Sequence, residues 1–189
     1  MIAVTYPSLF KTTPDQKIES WGALVDLLTT HRENADKERA PMWSPVTLAD
    51  GGKRCNAAVV AVNAMVVDVD GGTAFEVAKQ RVAGRDWVAY STHSHTPENP
   101  RFHLVVRLDE PISGERWAGE YDRIRGEIGC GDVLRAPCHS YFLPQHRPNA
   151  EWFVEIGGVQ RREGLGAIDF AWSVARFVGF RNRGTKHDR

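Results

Sequence analysis

The sequence predicts an α+β fold with a ferredoxin/RRM-like βαββαβ core, on three observations. A strongly apolar run, "AAVVAVNAMVVDVD", reads as a strand and closes on two aspartates. "DWVAYSTHS" and "RFHLVVRLD" are two further strands, and the turn residues "HTPENP" between them make a hairpin. "TAFEVAKQRVAG" and "SGERWAGEYDRIRGEIG" are amphipathic helices, one after the first strand and one after the third. With "HSYFLP" as a short closing strand, residues 63–145 run strand, helix, strand, strand, helix, strand. That order is the split βαβ arrangement.

Taken from the start, "TPDQKIESWGALVDLLTTHR" reads as a capped helix with Trp21, Leu24, Leu27 and Leu28 on one face. "RENADKERAPMWSP" is polar, ends in prolines and reads as a surface connection. The first core helix stops at Gly84; the second is entered at Ser113 and left at Gly129. Trp21, Trp87 and Trp117 are core candidates. "GGVQRREGLG" is a glycine-rich connection, and "FRNRGTKHDR" a basic tail. Neither an internal repeat nor a low-complexity tract interrupts the chain.

The totals fit one domain with a real core: 189 residues of ordinary composition. A formal net charge of zero announces no nucleic-acid binder, although arginine, the better fork for phosphate, outnumbers lysine. Cys55, Cys130 and Cys138 are too few and too irregular for a zinc site or a disulfide framework. With no signal peptide and no membrane-length apolar stretch, the expected location is cytoplasmic.

In a ferredoxin-like sheet the strand order is 4-1-3-2, with both helices on one face and the other face open. The first and second strands are then parallel, so Asp70 and His93 finish at the same end. Arg101 begins the third strand there, and the loop "GCGDVLRAPC", carrying Asp132, enters the fourth strand there too. Strand neighbours alternate faces. Val67 and Val69 therefore pack beneath the helices, leaving Asp68 and Asp70 on the open face. On the third strand Phe102, Leu104, Val106 and Leu108 form the apolar row, and Arg101, His103 and Arg107 the polar one. Ser91 and His93 share one side of the second strand. The open face is thus expected to collect two aspartates, a serine, a histidine and an arginine.

Like charges as close as Asp68 and Asp70 raise each other's pKa unless a cation lies between them. With Asp132 they make an oxygen-rich site suited to Mg²⁺ or Mn²⁺. Two such ions about 3.5–4 Å apart clamp the oxygens of a phosphoryl transfer, with Arg101 and His93 as contacts to a triphosphate. Each residue also has a plainer explanation. Asp-x-Asp-Gly-Gly is common turn chemistry, His93 or His95 suits a turn, Arg101 suits a surface ion pair and Asp132 suits a loop cap. What favours the first reading is that all four stretches meet at one edge.

These residues resemble the archaeo-eukaryotic primase superfamily, especially the primase-polymerase domains of plasmids and phages. The resemblance rests on "VVDVD" as the Asp-x-Asp motif and on "YSTHSHTPENPRFHLVVRL" as the Ser-x-His motif. "GDVLRAPCHSYFLP" matches the third, acidic motif. It spans residues 64–144. It implies Asp68, Asp70 and Asp132 as catalytic metal ligands in a two-metal Mg²⁺ or Mn²⁺ site. Ser91, His93, Arg101 and His103 would be nucleotide-binding residues, with His95 a rival to His93 in register. Asp109, a rival third acid, falls at the far end of its strand. The resemblance also implies an additional N-terminal αβ unit, here 1–62, that closes the site. Residues 1–160 would form the catalytic domain and 161–189 a C-terminal helix and basic tail. The implied partners are a DNA template and primer, nucleoside triphosphates and a replicative helicase, although no helicase motif is present. The chain looks like an isolated catalytic domain, a fragment or a short mobile-element protein.

Three rivals bear weighing. Haloacid dehalogenase phosphatases also use Asp-x-Asp-Gly after a strand, but no lysine lies between Lys79 and Lys186 and no later acidic pair follows. A rolling-circle nicking enzyme shares this topology and would take Tyr121 as nucleophile, yet needs two histidines flanking a hydrophobic residue where the chain has "HSH". The third is an inactive domain that binds nucleic acid or a replication partner.

Overall fold

The computed structural model describes residues 1–158 and 175–178. In chain order these form β1 (Ala3–Tyr6), β2 (Gln16–Ile18), α1 (Trp21–Thr29), β3 (Arg32–Glu33), β4 (Met42–Ser44), β5 (Val46–Leu48) and β6 (Val59–Val69). There follow α2 (Phe75–Arg81), β7 (Trp87–Ser91), β8 (Phe102–Ser113), α3 (Trp117–Ile128), β9 (Tyr141–Phe142), β10 (Gln145–His146), β11 (Phe153–Gly157) and β12 (Ala175–Val178). The class is α+β, as expected.

The main sheet has the order β12-β11-β7-β8-β6-β5. β8 runs antiparallel to both β6 and β7, so those two are parallel to each other. Val69 and Ser91 both stand opposite Phe102, which puts the ends of β6 and β7 level. The 1-3-2 part of the expected order is therefore present. The fourth place is different. β5 pairs antiparallel with the first half of β6, and the "HSYFLP" segment, as β9, joins a second sheet of order β2-β1-β4-β9. Beside the end of β6, where that strand was expected, lies the 131–132 loop, joined through the Asp132 N–H to the Asp68 carbonyl at 2.8 Å.

α2 and α3 cover one face of the sheet. Their Ala78, Tyr121, Ile124 and Ile128 pack with Val67, Val69, Ala89, Phe102, Leu104 and Val106 in one buried cluster. The face expected to be open is largely covered. α1 lies on β7 and β11, and its Leu24, Val25 and Leu28 bury with Val66, Val88, Tyr90, Val105 and Trp43. Ser20 caps α1 by accepting the Ala23 N–H at 3.2 Å. The segment read as a surface connection holds β4, whose Met42, Trp43 and Ser44 are all buried. Its polar start stays exposed, but the last residues alternate between the two cores, Met42 into one and Trp43 into the other.

At the C-terminal side, β11 pairs with β7 and extends the sheet beyond the second strand. β12 then pairs antiparallel with β11. The helix and basic tail expected over 161–189 lie outside the described residues apart from 175–178, and those are strand: the unpaired edge of β11 offers ladder partners that a helix does not use.

Candidate active site

The site is built at the ends of β6 and β8. Gly71 follows the acidic strand with φ +106°, and a Cβ there would sit 2.6 Å from Asn99 Oδ1 of the β7–β8 turn. The positive φ favours glycine, and the chain can turn immediately after Asp70 with Asn99 close against it. Gly131, with φ +87°, plays the same part in the facing loop: a Cβ would strike the Val67 side chain and lie 3.1 Å from the Asp68 carbonyl. That close approach lets the Asp132 N–H reach Asp68. The loop is held further by Tyr121, whose hydroxyl donates to the Asp132 carbonyl at 2.6 Å and accepts the Leu134 N–H at 2.9 Å. Arg125 donates to the Gly131 carbonyl at 2.8 and 3.1 Å.

Asp68 is opposite His103, and His103 is opposite Tyr90, so the three share one face across three strands. His103 Nε2 lies 3.3 Å from Asp68 Oδ1. This is ion-pair distance but not hydrogen-bond alignment, and Oδ1 is buried with no hydrogen-bond partner among the described residues. Burial pushes the Asp68 carboxyl up, but His103, then His139 and Lys37, outweigh it and hold the pKa below the ordinary value. His139 sits in the same field. Burial lowers its pKa, against the opposing pull of Asp68. Asp70 is more open, 54% exposed, with Arg101 Nη1 at 3.7 Å. Arg101 Nε is buried without a hydrogen-bond partner among the described residues. Asp68, Asp70, Asp132 and Arg101 thus come to one edge of the fold. The carboxylates are not gathered into a ready cage: among the described residues, no group of three or more His, Cys, Asp or Glu could hold a metal ion. Asp132 meets Asp68 through its backbone, and its side chain is exposed.

Ser91 corrects the face assignment. It stands opposite Phe102, away from the Asp68–His103–Tyr90 row, and is fully buried. Its hydroxyl accepts the Phe153 N–H at 3.0 Å and lies 3.3 Å from His31 Nε2. Parity counted from the loop end misplaced it; Tyr90, one residue earlier, occupies the polar row. His93 is 8% exposed and donates through Nε2 to the Asn34 carbonyl at 2.9 Å. His95 Nδ1 accepts the Arg101 N–H at 3.2 Å and so braces the arginine. Asp109 lies six residues beyond the His103 pairing on the same strand, far from the acids.

Several residues around the site were not singled out from sequence. Lys37 brings positive charge toward Asp68, and His139 does so when protonated. Trp43 and Tyr90 support His103 from behind: Trp43 Nε1 donates to the Tyr90 hydroxyl at 2.9 Å, which is 2.8 Å from His103 Nδ1. Arg54 fastens the outer loops through Ser140 Oγ at 2.8 Å and the Leu9 carbonyl at 2.5 Å. Only Tyr90 carried a readable signal, since the strand register that faces Asp68 toward His103 also selects it. A cavity of about 180 Å³ lies at β3 and β10, lined by Arg32, Asn34, Arg39 and Gln145 among others. Its Asn34 accepts from His93 through the backbone carbonyl, and it contains none of Asp68, Asp70 and Asp132.

Tyr121 is 1% exposed and its hydroxyl is engaged twice, so it is not presented as a nucleophile would be. Among the described residues no helix is long and apolar enough to cross a membrane.

The family described as "VapE N-terminal domain" matches residues 45–157, more than half of the chain, including β6, β7, β8 and the loop carrying Asp132. No curated protein matches the chain in sequence. A solved structure, the AEP domain of the primase-polymerase (PrimPol) of cyanophage S-2L, is similar at 15% identity and a TM-score of 0.44. The match covers 75% of this chain and 72% of that one.

Proposed function

Because the chain belongs to the VapE N-terminal domain family, associated with phage and plasmid replication, we propose that it is a metal-dependent nucleotidyltransferase. It would add nucleotides to a DNA strand on a template, as a primase or polymerase. One observation carries the reading: Asp68 Oδ1, buried and without a hydrogen bond among the described residues, at the edge where Asp70, Asp132 and Arg101 converge. A buried carboxylate oxygen in that state is an incomplete site, and a hard cation completes it. Asp68, Asp70 and Asp132 would hold Mg²⁺ or Mn²⁺, which when bound supplies activation of the attacking 3′-hydroxyl and charge compensation at the phosphates. The all-oxygen donor set suits these ions better than zinc.

Arg101, its Nε without a hydrogen-bond partner among the described residues, would take a phosphate oxygen of the incoming nucleoside triphosphate. Lys37 adds positive charge on the same side, where His139 also lies with its pKa lowered by burial. His93 and Ser91, tied to Asn34 and Phe153, would shape the nucleotide pocket rather than reach far into it. Template, primer and a replicative helicase are the partners this reading names.

Primer extension tests it: a labelled primed template with dNTPs and Mg²⁺ or Mn²⁺, wild type against Asp68→Ala/Asp70→Ala. Extension by the wild type alone is the expected result. Failure of the wild type with dNTPs on primed DNA, and with ribonucleotides on unprimed single strands, would overturn the proposal.

A further inference from the structure

Behind the first acid lies a chain of buried polar groups, Trp43–Tyr90–His103–Asp68, that begins in the N-terminal unit and ends at the site. Trp43 is 0% exposed, Tyr90 1% and His103 7%. The Tyr90 hydroxyl has three polar neighbours: Trp43 Nε1 at 2.9 Å, His103 Nδ1 at 2.8 Å and the Phe142 carbonyl at 3.1 Å. The Trp43 nitrogen can only donate and the carbonyl can only accept. The hydroxyl has a single proton to give, so its choice sets the histidine.

If that proton goes to His103 Nδ1, the ring's own proton is on Nε2 and faces Asp68. If it goes to the Phe142 carbonyl, His103 must donate from Nδ1. A neutral ring would then turn a lone pair on Nε2 toward the carboxylate at 3.3 Å, two acceptors face to face. Only an imidazolium escapes that conflict, and it too carries a proton on Nε2. Both states the network tolerates therefore carry the Nε2 proton on the side facing Asp68, at ion-pair distance and without hydrogen-bond alignment to Oδ1; the neutral Nδ1–H form is excluded. The rings of Tyr90 and Tyr141 meet His103 edge-on at 5.1 and 5.2 Å and prevent it from turning.

We propose that Trp43 and Tyr90 are positioning residues: they lock His103 with its Nε2–H toward Asp68 and so fix the orientation of that carboxylate as a ligand for the divalent ion. This rests on the metal-dependent reading above. It gives the N-terminal unit a part in the chemistry, because β4 supplies the first donor of the chain and β9 the carbonyl that competes for the hydroxyl proton. Outer groups that orient a ligand typically govern metal affinity by 10- to 100-fold.

The test is Mn²⁺ titration by EPR together with ¹⁵N NMR of His103, on wild type, Tyr90→Phe and Ile124→Val. Wild type is expected to show His103 protonated on Nε2 and to bind Mn²⁺. Tyr90→Phe keeps the ring but loses the hydroxyl. It is expected to mix the His103 tautomers and weaken Mn²⁺ binding by about tenfold or more. Ile124→Val, a buried change in α3, controls for loss of stability and is expected to alter neither readout. Trp43→Phe gives a second route, with a smaller shift in the same direction. Wild type that binds Mn²⁺ while Tyr90→Phe binds it equally, with His103 unchanged, overturns the positioning role alone. Wild type that binds no Mn²⁺ overturns the metal reading and this inference with it.

Discussion

Tyr121→Phe isolates the device that brings Asp132 to Asp68. The substitution keeps the ring, buried against Trp117 at 5.7 Å between centroids, and removes only the hydroxyl. Two hydrogen bonds go with it, to the Asp132 carbonyl at 2.6 Å and from the Leu134 N–H at 2.9 Å. A net hydrogen bond is worth about 1 kcal/mol, and a stranded buried partner costs about 1–3 kcal/mol more. Asp132 is exposed and Leu134 half-buried, so water can reach the freed groups and the lower end applies. The loss is about 2 kcal/mol, which for a chain of this size lowers Tm by about 4–8 °C. The loop keeps its other ties, from Arg125 to Gly131 and from Asp132 to Asp68. It should therefore loosen rather than detach, and a misplacement of under 1 Å at a reacting centre costs about tenfold to a hundredfold in rate. Thermal unfolding by circular dichroism and single-turnover primer extension read the two effects. A Tm within about 1 °C of wild type, or undiminished extension, would refute the argument that this hydroxyl delivers the third acid. Complete loss of a DNA-nicking activity would instead revive Tyr121 as a nucleophile.

Two further expectations follow from buried charge. Glu155 is 1% exposed, and its Oε1 accepts from Lys79 Nζ at 2.8 Å, tying α2 to β11. Burial lowers the Lys79 pKa, but the bonds to Glu155 and Glu76 outweigh it and the net shift is upward. Lys79→Met leaves the carboxylate unpaired in the core and should cost about 3 kcal/mol in urea unfolding at pH 7; a loss below about 1 kcal/mol would show that the pair is dispensable. His31 has its pKa lowered to about 3 by burial, against the raising effect of its bond to the Ser91 carbonyl; His146 and His95 lower it further. The folded pKa is below the unfolded value near 6.5, so the unfolded chain takes the proton first as pH falls. Stability is full above pH 6.5 and falls by about 1.4 kcal/mol per pH unit toward pH 3. Between pH 7.5 and 5 the wild type should lose about 2 kcal/mol more than His31→Gln, and equal losses in urea melts would refute this.

The sequence by itself determined the elements between residues 63 and 145, the hairpin, and the edge where Asp68, Asp70, Arg101 and the Asp132 loop meet. These depend on local periodicity and on the parallel or antiparallel sense that short connections impose, both readable from neighbouring residues. Only the tertiary structure decided which edges pair. The fourth strand went to the second sheet, β5 took one edge of the first while β11 and then β12 extended the other, and the polar-looking segment before residue 42 ended in buried Met42 and Trp43. Edge pairing depends on which distant strand satisfies the free backbone groups, and no local pattern records that. The same reason separates the residues of the site. Asp68 was legible because a carboxylate ending an apolar strand is conspicuous. Ser91 went to the wrong face because one residue of register exchanges every side chain in a strand. Trp43 and Tyr90 look like ordinary core aromatics in sequence. Their polar atoms acquire meaning only when three strands and the N-terminal unit bring them behind His103, since a buried donor is defined by the partner it finds.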